Sequence, residues 1–250
     1  MSRVTKSRWS SRPLKGRSAS LIPYDHPAVV AGRTIYPKTV HTLRRDIGGR
    51  RALKSAVNSR KIGGVILKGR WKGLPAYTLT LEERATCPTT CGHWRSCYGN
   101  KMHLAQRMRS GSDLEWRLER EVALLDIDHP DGFAIRLHEL GDFYSIDYVR
   151  LWGRLLERHP GLHIWGYTAH IDGPIAAALV KLVKRFGERF AMRFSNAPFP
   201  FPFPATITVE TAAQKPADAI LCPEQVGKTE SCSTCALCWQ TRRRIAFLQH

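Results

Sequence analysis

Seven cysteines are the residues most able to do chemistry in this chain. They form one group of three on a short loop and one group of four near the C-terminus: Cys87, Cys91 and Cys97, then Cys222, Cys232, Cys235 and Cys238. Three thiolates on one loop can hold three corners of a [4Fe–4S] cluster and leave the fourth iron open. Four thiolates close such a cluster completely, so we expect one open, reactive centre and one closed centre.

Zinc is the alternative metal at each group of cysteines. In the first group, His93 or His103 would then complete a tetrahedral set. The C-x2-C-x2-C run of the second group is typical of iron–sulfur loops, whereas structural zinc more often uses two separated C-x2-C pairs. The odd cysteine count argues against complete disulfide pairing. The N-terminus has no apolar signal segment and no stretch long enough to span a membrane, so we expect a cytoplasmic protein.

Charge is distributed very unevenly along the chain. Residues 1–74 hold 18 Lys and Arg against 2 acidic residues, whereas the remaining 176 residues hold 21 against 19. A polycationic segment of this kind attracts polyanions, and nucleic acid is the expected partner. A solvated tail without a specific partner explains the same composition.

Short apolar stretches alternate with amphipathic ones between the two cysteine groups. Strands are expected at 76–81, 133–137, 162–167, 190–194, 205–209 and 219–221, with helices near 112–126, 146–158 and 174–186. This order predicts an α/β fold, with a parallel sheet of the partial (β/α) barrel type. We divide the chain into a basic, partly flexible arm (1–62), an α/β domain carrying the first cysteine loop (63–221) and a C-terminal four-cysteine segment (222–250).

Polar residues follow several of the predicted strands, where sites in such folds lie. We predict Asp142 and the neighbouring Tyr144 as catalytic residues. Asp142 could accept a hydrogen bond from a substrate, although an Asp at a helix N-terminus would look the same. Of His138 and Glu139, one could face the site and the other a helix. Alternatively, both could be a hydrogen-bonded pair in the core. Tyr167 and His170 follow the next strand. Trp239 is expected to shield the second centre.

A strand followed by a three-cysteine loop and a run of α/β units resembles the radical S-adenosylmethionine superfamily. The resemblance implies that the open iron at Cys87, Cys91 and Cys97 binds S-adenosylmethionine. It also implies cofactor contacts from a set of residues at the strand ends: Tyr98, Gly141, Asp142, Ser195 and Asn196. The four-cysteine group would then be an auxiliary cluster.

More narrowly, three segments resemble the phage and bacterial gene product 88 proteins. They are Thr86 to Tyr98, Gly141 to Ser145 (Gly-Asp-Phe-Tyr-Ser) and Cys232 to Trp239. The resemblance covers roughly residues 75–240 and leaves the basic arm outside. It implies a family and no substrate.

Overall fold

The computed structural model describes residues 21–45 and 49–249. Its ten strands are β1 Val40–His41, β2 Lys54–Ser55, β3 Ala76–Leu79, β4 Arg107–Met108, β5 Phe133–Leu137, β6 Leu162–Thr168, β7 Phe190–Ser195, β8 Ala205–Val209, β9 Ala219–Leu221 and β10 Arg244–Leu248. The α-helices are α1 Pro27–Val30, α2 Ser112–Asp128, α3 Ile146–Arg158, α4 Gly173–Phe186, α5 Cys232–Cys235 and α6 Leu237–Gln240. Short 3-10 helices span Pro37–Thr39, Ala56–Asn58, Tyr98–Lys101 and Ala212–Gln214.

Eight of the described strands form one sheet in the order β2-β3-β5-β6-β7-β8-β10-β9. All neighbouring pairs are parallel except β2 with β3. The expected α/β class and largely parallel sheet are therefore confirmed. Within the described residues the sheet is open, with β2 and β9 at its edges, and does not close into a barrel. Strand β10 was not predicted, and it lies between β8 and β9.

The two faces of the sheet carry different side chains because successive residues of a strand point to opposite sides. In β5, Phe133, Ile135 and Leu137 join the main core with α2, α3 and α4. Ala134 and Arg136 point to the other side, which we call the inner face. Each crossover from β3 to β7 steps to the next strand in the same direction, and right-handed crossovers of this kind place their helices on one face.

The inner face is covered by two segments that are distant in sequence. Trp71 stacks on Trp239, with ring centroids 5.3 Å apart and planes at 4°, and Trp239 also contacts Trp165 of β6. The segments are joined by backbone hydrogen bonds, including those from the Cys232 and Ser233 amides to residues 61 and 62. The four-cysteine segment is therefore packed directly onto the sheet, and the buried Trp239 lies beneath it.

Part of the basic arm packs on the first cysteine loop. Arg33 pairs with Glu82 at 2.7 Å, and the Tyr36 hydroxyl donates to the Asn100 carbonyl at 2.6 Å. Residues 1–20 and 46–48, which belong to the predicted flexible arm, lie outside the described residues. No helix in the described part of the chain is long and apolar enough to cross a membrane.

Candidate metal centres

The first cysteine loop follows β3 and is held by a buried ion pair. Glu83 and Arg107 are both fully buried, and two guanidinium nitrogens of Arg107 contact the Glu83 carboxylate at 2.5 and 3.1 Å. Arg107 also donates to the backbone carbonyls of Gly99, Met102 and Ala105. The Arg107 side chain thus holds the backbone that follows Cys97 in place.

A second buried arginine organises the inside of the same loop. Arg84 donates to the Trp94 carbonyl at 2.8 Å and to the Asn100 side chain at 2.6 Å. Its charge also lowers the pKa of Cys91 and Cys97, against the larger effect of burial. Arg84 therefore supplies both loop geometry and positive charge beside the thiols.

The three cysteines of this short loop are all half-buried. Burial raises the pKa of all three, and that of Cys97 reaches about 12. The charges of Asp142, Cys91 and Cys97 further raise the pKa of Cys87. The N–H groups of His93 and Gly99 oppose this increase at Cys91 and Cys97. Buried thiols that receive N–H donors are suited to binding as thiolates once a metal supplies the positive charge.

The loop reaches across the carboxyl edge of the sheet to β8. The His93 imidazole contacts the Thr208 hydroxyl through Nε2 at 2.9 Å and the Ser96 hydroxyl through Nδ1 at 3.3 Å. Both ring nitrogens are therefore engaged away from the thiols, so the structure does not place His93 as their fourth ligand. His103, the other predicted candidate, is exposed.

Asn196 and Ser195 end β7 beneath this crossing. The Asn196 side-chain oxygen accepts the Thr208 N–H at 2.8 Å, and its amide nitrogen faces Gly92 of the cysteine loop. Asn196 thus joins β7, β8 and the loop. The half-buried Ser195 occupies the last position of the strand.

Gly141 and Asp142 connect the loop to the ends of β5 and β6. Gly141 has a φ of +84°, and a Cβ there would lie 2.5 Å from the Thr86 hydroxyl and 2.6 Å from the Leu81 Cβ. The buried Asp142 carboxylate accepts the N–H groups of Phe143 at 2.8 Å and Ala169 at 2.6 Å. These contacts give both residues a packing role next to the cysteines.

Asp142 also contributes charge at the first centre. Burial raises the pKa of its carboxyl, whereas His170 and the N–H donors lower it. Its charge in turn raises the pKa of Cys87 and Cys91. Asp142 is therefore the predicted catalytic residue that the fold brings to the first group.

Tyr144 and His138 are not brought to the site. The Tyr144 hydroxyl donates to Glu115 of α2 at 2.8 Å, and its ring stacks on Tyr148 of α3. His138 contacts the Tyr148 hydroxyl through Nε2 at 2.9 Å, and burial lowers its pKa to about 3. Both side chains belong to the helix side of the sheet.

Glu139 is the neighbouring residue that does face the inner side. Its carboxylate accepts a hydrogen bond from Thr80 at 3.1 Å, and its charge acts on the exposed Tyr98. The sequence left open whether His138 or Glu139 faces the site. The alternation of side chains did not distinguish the two.

In the second group Cys222 is buried and the other three cysteines are half-buried. The charge of Cys238 raises the pKa of each of the other three thiols, after burial as the main cause, and Cys222 reaches about 12. Lys61 opposes the increase at Cys222 and Cys232. The N–H of Gln225 acts in the same way on Cys222, and that of Leu237 on Cys235.

Arg193 of β7 attaches this second group to the inner face. Its buried guanidinium donates to the backbone carbonyls of Cys238 at 2.9 Å and Arg243 at 3.1 Å. Further bonds reach the carbonyls of Leu237 and Thr241. Burial lowers the pKa of Arg193, and the negative charge on Cys238 opposes this effect. An anionic metal–thiolate centre would therefore compensate a buried cation.

A line of side chains connects the two groups across the inner face. The Tyr167 hydroxyl lies 2.8 Å from the Cys238 sulfur, and the Arg136 guanidinium lies 4.3 Å from the centre of the Tyr167 ring. Arg136 also acts electrostatically on Tyr98, which follows Cys97. Lys61 lies 5.9 Å from the centre of the Tyr98 ring. The two cysteine groups thus border one shared region.

The residue types at both groups are those that bind a metal as thiolates, although their described side chains are not arranged around a metal position. Each group combines buried sulfurs, N–H donors and nearby cations, which together stabilise thiolates. Within the part of the chain that the structure describes, no group of three or more His, Cys, Asp or Glu side chains is arranged to hold a metal ion.

Comparison with known proteins gives a match over most of the chain. The model of the family described as Gene product 88 matches residues 42–241. The chain belongs to the gene product 88 family. The gene 88 protein of Mycobacterium phage L5 is 28% identical over 201 residues, covering 65% of this chain and 81% of that protein. No solved structure matches the chain.

The segment matched by the family includes both cysteine groups. It begins at residue 42 and ends at residue 241, so all seven cysteines and Arg193 fall inside it. The narrower of the two resemblances seen in the sequence is thereby confirmed.

Proposed function

We propose that this member of the gene product 88 family is an iron–sulfur enzyme with two clusters bordering one reaction site. Cys87, Cys91 and Cys97 would hold an open [4Fe–4S] cluster that binds S-adenosylmethionine. The four C-terminal cysteines would hold a second, closed cluster. The site between them would lie on the inner face of a sheet that curves in the manner of a partial barrel.

One observation supports this proposal: Lys61 links the two cysteine segments. Its carbonyl accepts the Cys232 N–H at 2.7 Å, and its ammonium lies 5.9 Å from the centre of the ring of Tyr98, which follows Cys97. A purely structural metal needs no such link. Here Tyr98, Arg136 and Tyr167 fill the path from Cys97 to Cys238 with polarisable rings and a cation. The exposed part of that path is where a substrate would meet both centres.

The protein side chains have separable tasks in this arrangement. The open cluster, once reduced, would supply an electron to bound S-adenosylmethionine. Asp142 holds the ends of β5 and β6 beside the first loop. Glu139 is the inner-face carboxylate next to Tyr98 and is suited to bind an amino group of cofactor or substrate. Tyr167 donates toward or accepts from the Cys238 sulfur and would tune the second cluster.

The deciding experiment measures iron, zinc and acid-labile sulfide in anaerobically purified protein. We expect about eight iron and eight sulfide per chain, because each group would hold one four-iron cluster. Replacing the first-loop cysteines (C87A/C91A/C97A) is expected to remove about half of both. S-adenosylmethionine should change the electron paramagnetic resonance spectrum of the reduced wild-type protein and leave that of the triple variant unchanged.

A matched control separates metal loss from unfolding. The variant C222A/C232A/C235A/C238A should retain the first cluster and its response to S-adenosylmethionine. Two zinc ions without sulfide would refute the proposal. Iron and sulfide without any response to S-adenosylmethionine would refute the cofactor part.

A second candidate function is nucleic-acid binding by the basic end of the chain, with the metal centres as structural or redox-sensing elements. Its support is the charge of residues 1–74 together with the exposure of Arg44, Arg50, Arg51 and Arg60. We expect affinity for a DNA or RNA duplex to fall steeply with salt and to weaken on deletion of residues 1–20. That truncation leaves the contacts of Arg33 and Tyr36 with the first loop in place. Unchanged affinity after the deletion would refute the assignment of residues 1–20 as the main binding segment.

A further inference from the structure

Two cations converge on one neutral oxygen at the edge of the inner face. The Arg50 guanidinium and the Lys54 ammonium each donate to the Gln106 side-chain oxygen at 2.6 Å. Among the described residues, no carboxylate lies within ion-pair distance of either cation. Two positive groups that share an amide oxygen are placed so that both can donate to one anion.

The position of this pair makes it part of the proposed reaction site. Lys54 of β2 pairs with Thr78 of β3, and Thr78 pairs with Arg136 of β5. Directly paired residues of neighbouring strands project to the same face. Lys54 and Arg136 therefore share the inner face.

The surroundings of the pair show the same excess of positive charge. Burial lowers the pKa of Lys54, and the charge of Arg50 lowers it further, whereas Glu139 opposes them from beyond ion-pair distance. Burial also lowers the pKa of His41, and both cations add to that effect.

We propose that Arg50 and Lys54, with Gln106, bind a phosphate group of the substrate. The site then takes a phosphate-bearing molecule, with the phosphate at the β2 edge and the rest extending along the inner face toward Tyr98. Arginine and lysine are the usual ligands of phosphate, and an amide can donate to phosphate through its nitrogen after rotation. The inference rests on the proposed function only in treating this anion as part of the substrate.

The test is calorimetric titration of the anaerobically purified protein at low salt. The probes are inorganic phosphate, deoxyadenosine 5′-monophosphate, deoxyadenosine without phosphate, and a short single-stranded oligodeoxynucleotide. We expect both phosphate-bearing nucleotide probes to bind more tightly than deoxyadenosine. In K54Q and R50Q that affinity should fall about tenfold or more, the usual effect of losing a charge-assisted hydrogen bond.

Two further variants make the result specific. R51Q removes the positive charge of the residue next to Arg50. The Arg51 side chain acts electrostatically on Tyr77 and Glu121. Its loss should therefore change the affinity for phosphate-bearing probes by about twofold at most. Q106E places a carboxylate between the two cations, so it should abolish phosphate binding without lowering the unfolding midpoint. A preference for the mononucleotide would assign the phosphate to a free nucleotide, and a preference for the oligonucleotide would assign it to a nucleic-acid chain.

Two results would overturn the proposal. One is equal affinity for deoxyadenosine and its monophosphate. The other is an equal loss of affinity in K54Q and R51Q. Iron and sulfide are measured on the same samples, so a failed phosphate site is distinguishable from absent clusters.

Discussion

Replacing Arg107 with methionine is expected to lower the free energy of unfolding by about 3–5 kcal/mol and to empty the first metal centre. The substitution leaves the Glu83 carboxylate buried without its cation, which is the main cost of breaking a buried ion pair. It also removes donors from the carbonyls of Gly99, Met102 and Ala105, which follow Cys97. Anaerobic urea unfolding and iron analysis would measure the two effects.

Two companion variants test the physical reason. R109M changes an exposed arginine two residues later and should leave both stability and iron content unchanged. The double variant R107M/E83L removes both charges, so it should recover part of the stability lost in R107M. A loss below about 1 kcal/mol in R107M would show that solvent or another cation compensates Glu83.

Replacing Arg193 with methionine is expected to detach the second centre selectively. The variant removes every hydrogen bond from the guanidinium to carbonyls of residues 237–243, and unpaired buried carbonyls cost about 1–3 kcal/mol each. Because this segment carries Cys238 and adjoins Cys235, about half of the iron should be lost. The spectrum of the first cluster should remain. R193K keeps the charge and loses the planar fork, so it should retain an intermediate iron content.

Arg189 supplies a matched control for this prediction. Its guanidinium also donates to backbone carbonyls, those of Leu156, His159 and Leu162 at the end of α3. R189M should therefore destabilise the fold by a comparable mechanism while both centres keep their iron. Equal iron loss in R189M and R193M would mean that general destabilisation empties the second centre.

The α/β class and the main elements could be predicted because they depend on local pattern. Strand β5 and helix α3 begin and end where the sequence indicated, since their apolar residues recur with the strand and helix periods. Strand β10 was missed because its short apolar stretch follows three arginines and pairs only with strands far away in sequence. Its neighbours in the sheet, β8 and β9, supply the hydrogen bonds that define it.

The sequence by itself determined the candidate ligands, the two cysteine groups, and their order around the α/β series. Spacing alone indicated those features, because cysteines a few residues apart must lie close together. Only the tertiary structure decided which polar residues join them. Glu139, Arg136 and Tyr167 lie on the inner face, whereas Tyr144 packs against α2 and α3 on the opposite side of the sheet.

The tertiary structure also decided that the two groups border one region. Nothing local in the sequence relates Cys97 to Cys238, since about 140 residues separate them. Their proximity follows from parallel strands, whose carboxyl ends meet at one edge of the sheet, and from Arg193, which holds the last cysteine segment against β7. The spacing of the cysteines is therefore a property of the sequence, whereas the packing of the last cysteine segment against the sheet is a property of the fold.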